Sequence, residues 1–151
     1  MLAVALKLIK NIRFTKPSPS QIIIFDETNS ELIKKVIPCY MTIEIFHVRP
    51  LIFYVTPRII FNLFNNMHKI KFTHCKYVKG NIIYKIFWQL LCIYILAVIE
   101  TQKAKLIITS IDNSNKFAWL CENYKDAEFV AIQNGFRLSY DAKKSMGYYC
   151  Q

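Results

Sequence analysis

The chain has 151 residues, enough for one domain with a substantial core and too few for two of ordinary size. Apolar residues make up 54% of it, which excludes intrinsic disorder, and three glycines with five prolines argue against an all-β sandwich built on tight turns. Twenty Lys and Arg against ten Asp and Glu leave a net charge of +10, which favours phospholipid headgroups, phosphorylated substrates or nucleic acid as partners.

Residues 2–13 read as a basic amphipathic leader helix. The apolar run at Met1–Lys10 is too short, and too interrupted by lysines, for a signal peptide. Lys16-Pro17-Ser18-Pro19-Ser20 cannot continue a helix, so residues 1–20 form a leader and linker. Gln21–Phe25 is a first strand and Asp26-Glu27-Thr28-Asn29-Ser30 a turn, with Thr28, Asn29 or Ser30 available to cap a helix over 30–36 that ends before Pro38. Met41–Val48 reads as a second strand, closed by His47-Val48-Arg49-Pro50. Strand, helix, strand is the unit that demands a right-handed parallel crossover.

Leu51–Val55 fits either a third strand or the first turn of a helix, Arg58–Phe64 is helical, and Lys69–Val78 is a basic, extended segment. A long helix then runs from about Asn81 to Gln102. Its apolar stretch Ile86–Ile99 would be about 21 Å long, short of the ~30 Å hydrocarbon core, so it is read as a buried helix and not a membrane span. Leu106–Ser110 is a strand, and Asn113-Ser114-Asn115 caps a helix to about Tyr124 with Phe117, Leu120 and Cys121 on one face. Glu128–Ile132 is a last strand and Gly135 permits the turn after it. Residues 21–138 thus make one domain, and residues 139–151 a loose tail without a clear period.

The informative pattern is three short apolar runs, Ile22–Phe25, Leu106–Ile108 and Phe129–Ile132, that stop abruptly at polar residues. Strands buried on both faces have this composition, and they belong to parallel sheets flanked by helices. The predicted class is therefore α/β, with a doubly wound, mainly parallel sheet. Ligands in such sheets gather outside the carboxyl ends of the strands, which is where Asp26, Glu27, His47, Arg49, Asp112, Asn113, Gln133, Asn134 and Gly135 fall.

Asp26 or His47 could take a proton from an acceptor hydroxyl, although Asp26 or Glu27 could equally cap the next helix. Arg49 and Arg137 suit phosphate, and Asp112 with Asn113 opens a helix whose N-terminus is a natural anion site. Gln133 and Asn134 can donate to and accept from sugar hydroxyls, while Gly135 lets a ligand approach the backbone. A plain turn would use the same residues. The five cysteines show no CxxC or CxxH spacing, so no metal site is expected, and Cys92 and Cys121 read as buried reduced thiols of a cytosolic protein. There is no GxGxxG, Walker A, HExxH or GxSxG pattern, and no cofactor is called for. The basic charge is concentrated before residue 90, among aromatics such as Phe72, Tyr84 and Trp88. That asymmetry fits peripheral contact with an anionic membrane at least as well as a solvated basic face, and better than nucleic acid.

Four passages together resemble the N-terminal half of bacterial surface carbohydrate biosynthesis proteins: Ile24-Phe25-Asp26-Glu27-Thr28-Asn29-Ser30, Ile45-Phe46-His47-Val48-Arg49, Thr109-Ser110-Ile111-Asp112-Asn113, and Phe129 through Gln133-Asn134-Gly135-Phe136-Arg137. The resemblance covers most of residues 20–138. It implies one Rossmann-like half of a GT-B-like architecture, offering the acceptor side of a cleft while a C-terminal domain, on this or another chain, holds a nucleotide-activated donor. The activity it implies is transfer of a glycosyl or polyol-phosphate group to a glycan or lipid-linked acceptor, at the cytoplasmic face of the membrane. The competing expectation is a non-catalytic subunit of the same fold that docks a separate donor-binding chain.

Overall fold

The computed structural model describes residues 11–48, 51–70, 76–111 and 114–132. Four parallel strands form the central sheet: β2 (Ile22–Phe25), β3 (Ile43–Phe46), β5 (Leu106–Thr109) and β6 (Glu128–Ala131), in the order β3-β2-β5-β6. A separate two-residue parallel pair joins β1 (Ile12–Arg13) to β4 (Phe53–Tyr54). The helices are α1 (Ser30–Val36), α2 (Pro57–Asn66), α3 (Ile82–Gln102) and α4 (Asn115–Asn123), with a 3-10 turn at Met67–Lys69.

Period-2 alternation decides which helix each strand residue meets. Ile23, Phe25 and Ile107 point to the face covered by α2, α3 and α4, where they join Ile59, Ile93, Leu96, Phe117 and Leu120 in the larger core. Ile22, Ile24 and Ile108 point to the other face and pack with Ile33 of α1. The chain is therefore a mixed α/β protein with a parallel sheet and helices on both faces, in three layers of unequal thickness. The expectation of helices around a parallel sheet holds. Two crossovers leave the centre in opposite directions, β2-α1-β3 one way and β5-α4-β6 the other, and a right-handed connection then puts α1 and α4 on opposite faces.

Local chemistry sets the boundaries. Thr56 is extended before Pro57, its hydroxyl accepts from Ile59 N–H, and the proline occupies the first turn, where its missing N–H costs nothing. That keeps residues 51–55 out of the helix, and Phe53–Tyr54 within them is a strand. Asn81 and Ser114 cap α3 and α4 by accepting from Tyr84 and Phe117 N–H. At the start of α1, Asn29 occupies the cap position in a left-handed conformation, and its side chain does not cap the helix.

Three expectations need correction. The leader helix does not reach residue 13, because Phe53 N–H donates to Asn11 and Val55 N–H to Arg13, which holds Ile12–Arg13 as a strand. Its first ten residues, and the 139–151 tail, lie outside the described residues. Helix α3 has 21 residues, about 32 Å by helical rise, so length does not keep it out of a membrane. Packing makes it a core helix: Cys92, Ile93 and Ile95–Ile99 are all 0% exposed. Finally, Cys121 is disulfide-bonded while Cys92 is a buried thiol, so the expectation of a reduced Cys121 fails, and with it half of the cysteine argument for a reducing compartment.

Candidate functional site at the carboxyl edge

The strand order reverses direction between β2 and β5, and the residues that leave their carboxyl ends, 26–29 and 110–111, flank the crevice where open α/β sheets bind ligands. The crevice is tied together by hydrogen bonds. Thr109 Oγ1 donates to the Phe25 carbonyl at 3.0 Å and accepts from Ile111 N–H at 3.1 Å, and Ser110 Oγ donates to the Thr28 carbonyl at 2.6 Å. Thr109 and Ser110 are both buried, polar exceptions in an apolar layer.

Asp26 sits at φ 87°, a left-handed conformation that Asp tolerates better than most residues. Its backbone N–H donates to Phe46 of β3, and its Oδ1 accepts from both the backbone N–H and the hydroxyl of Thr28, each at 3.2 Å. The Asp26 carboxylate is thus engaged in folding its own loop and does not cap the next helix, whose cap position is taken by Asn29. The strained turn aims the next residue outward. Glu27 Oε1 lies in short contact with Nδ1 of His47, the residue that follows β3. Both side chains are half-exposed, 47% and 39%.

A carboxylate on Nδ1 selects the tautomer with its proton there and leaves Nε2 as the free basic nitrogen. The pair thus has the composition of an oriented general base. The hollow beside His47, bounded by Phe46, Ile52 and Tyr54, is only about 10 Å³, room for about one water, so any larger ligand must lie across the open edge.

Of the residues singled out in the sequence, the structure brings Asp26, Glu27 and His47 together. Arg49, Asp112, Asn113, Gln133, Asn134, Gly135 and Arg137 lie outside the described residues. Sequence reasoning did not foresee the Glu27–His47 contact, which joins residues 20 apart on different strand ends, nor the bridging roles of Thr109 and Ser110. The signal available for the latter two was a hydroxyl pair closing an otherwise aliphatic strand.

A larger cleft of about 370 Å³ opens at the opposite, amino edge, between Arg58, Asn62, Glu100, Lys103, Lys105, Tyr124 and Asp126. Burial pushes the Glu100 carboxyl up, against the smaller opposing effects of the Asn66 hydrogen bond and the Lys69 charge. Burial also lifts the Tyr124 phenol to about 12. Its rim carries cations and carboxylates together, so it has no single charge character.

Fold and edge chemistry together define an α/β protein with a polar, hydrogen-bonded crevice at the switch point of a parallel sheet. Comparison with protein-family models, with curated proteins and with solved structures gave no significant match.

Proposed function

We propose that the chain is the acceptor-side, Rossmann-like domain of a GT-B-like transferase of surface polysaccharide synthesis, in which His47 activates an acceptor hydroxyl and Glu27 orients it. The observation that carries this reading is the Glu27–His47 contact at the carboxyl edge, beside the β2/β5 crevice. In the step envisaged, His47 Nε2 takes the hydroxyl proton as the oxygen bonds to the anomeric carbon of a sugar, or to the phosphorus of an activated polyol phosphate. The bond from that atom to the nucleotide's phosphate oxygen breaks, and its electrons leave with the nucleotide. A second domain, on this or another chain, would hold the donor.

The experiment is NMR on the chain, observing both the ligands and the protein's histidine resonances, with glycerol 3-phosphate, short oligosaccharides, and free CDP and UDP. Acceptor-type ligands are expected to bind and to move the His47 imidazole resonances, with free nucleotides binding weakly or not at all. Tight nucleotide binding would place the donor site here and overturn the acceptor-side assignment. In an assay completed by a donor-binding domain, His47→Gln should lower turnover about a hundredfold or more, and Glu27→Gln, which keeps a hydrogen-bond acceptor, should lower it less.

The second reading, a non-catalytic docking subunit, is favoured by the small size of the hollow at His47. It predicts that neither variant changes turnover and that the chain stabilises its partner instead.

A further inference from the structure

The cleft at the amino edge is built by three parts of the chain. Helix α2 supplies Arg58 and Asn62, the end of α3 and the turn into β5 supply Glu100, Lys103 and Lys105, and the connection from α4 to β6 supplies Tyr124 and Asp126. Its volume of about 370 Å³ falls within the ~300–1,000 Å³ of small-molecule sites. All seven lining side chains are polar and five are charged, so the ligand that suits it is held by charge and hydrogen bonds.

These charges do not neutralise one another. Among the described residues, Arg58, Lys103 and Lys105 make no ion pair, and neither does Glu100 or Asp126. Glu100 instead accepts from Asn66 Nδ2 at 2.9 Å. The acidic groups act on each other. Burial and then the Asp126 charge push the Glu100 carboxyl up, and burial, Asp126 and Glu100 push the Tyr124 phenol to about 12. The cation that partly offsets Glu100 is Lys69, which donates to the Asn123 carbonyl, and not one of the three in the cleft. Helix α3 also ends here, with Lys103 at its C-cap, so its dipole adds negative potential beside Glu100. The cleft thus has an acidic pole at Glu100, Asp126 and Tyr124, and cations that leave that pole uncompensated. An ammonium between Glu100 and Asp126 would relieve their repulsion, and a phosphate or carboxylate would engage the guanidinium and the two lysines. A plain anion leaves the acids uncompensated, and a plain cation leaves the lysines so. A molecule with both charges answers both.

We infer that this cleft binds a small zwitterion with a primary ammonium at one end and a phosphate or carboxylate at the other. Glu100 and Asp126 hold the ammonium, and Arg58, Lys103 and Lys105 hold the anion. The site lies at the opposite ends of the strands from His47, and the inference is independent of the transferase reading.

The test is titration calorimetry of the full chain with phosphoethanolamine, glucosamine 6-phosphate and γ-aminobutyrate. Ethanolamine, which lacks the anion, and glucose 6-phosphate, which lacks the ammonium, serve as controls. At least one zwitterion is expected to bind, with the controls about tenfold or more weaker, and the phosphate and carboxylate compounds show which anion is preferred. Glu100→Gln/Asp126→Asn should lower the affinity about tenfold or more, and Lys103→Gln/Lys105→Gln should do the same from the other pole. Unfolding curves confirm that each variant folds, and either pair suffices for the test. Failure of all three zwitterions to bind overturns the inference. So does equal binding of glucose 6-phosphate, which would make this an anion site only, or binding that neither pair of substitutions weakens. Binding lost in His47→Gln would put the ligand at the carboxyl edge and overturn it as well.

Discussion

Replacing Thr109 by Val separates burial from hydrogen bonding at the crevice. Valine has nearly the same shape, is the better strand former, and would gain apolar burial at a position 0% exposed. A view based on burial alone predicts a neutral or slightly stabilising change, worth at most about 1 kcal/mol. The hydrogen bonds argue the other way. The hydroxyl donates to Phe25 O at 3.0 Å, on a residue 1% exposed, and accepts from Ile111 N–H at 3.1 Å. Losing it strands a buried acceptor and a part-buried donor, at about 1–3 kcal/mol for each group left unmade. The net expectation is a loss of about 2–3 kcal/mol, which for a chain of this size lowers Tm by roughly 5–10 °C. Urea unfolding should show a lower midpoint with the slope unchanged, and Thr109→Ser, which keeps the hydroxyl, should lose only about 1 kcal/mol. A valine variant within 0.5 kcal/mol of the parent, an interval of about the usual error, would refute the claim that these bonds fasten β2 to residues 109–111.

The remaining predictions concern the scaffold. Leu96→Ala, at the fully buried middle of α3, should cost about 2–5 kcal/mol in equilibrium unfolding. Tyr94→Phe frees the Tyr54 N–H that now donates to the hydroxyl at 2.6 Å, and should loosen β4 by about 1–2 kcal/mol, read as faster amide exchange at Tyr54. Burial lifts both Tyr94 and Tyr124 to about 12, so alkaline ultraviolet titration should show Tyr94→Phe and Tyr124→Phe each removing absorbance change from the late part of the curve, which becomes ordinary on unfolding. The Glu100 carboxyl, raised from 4.5 mainly by burial, binds its proton more readily when folded. Its contribution to stability is full below about pH 4.5 and is lost as pH rises through the folded value. Glu100→Gln should therefore raise stability at neutral pH and flatten that part of the pH profile, and an unchanged slope in urea midpoints would refute this.

By itself the sequence determined the elements and the layer arrangement. Three isoleucines and a phenylalanine in a row at 22–25, with no polar alternation, need cover on both faces, and a parallel sheet between helices supplies it. Pro57 after Thr56, Asn81 and Ser114 then mark helix starts by bonds that reach only three residues. The leader helix failed at its end because Ile12–Arg13 takes its hydrogen bonds from a strand forty residues away, and no local pattern carries that information. The same holds for the site. That Asp26 turns inward to its own loop, that Glu27 meets His47, and that Thr109 and Ser110 fasten the crevice all follow from strand order and register. Tertiary packing also decided which part of the apolar helix α3 is core and which is bare, since the same residue type, isoleucine, is exposed at 82–83 and fully buried at 93, 95 and 99. Local chemistry fixes where elements begin and end. Only the assembled sheet decides which polar ends meet.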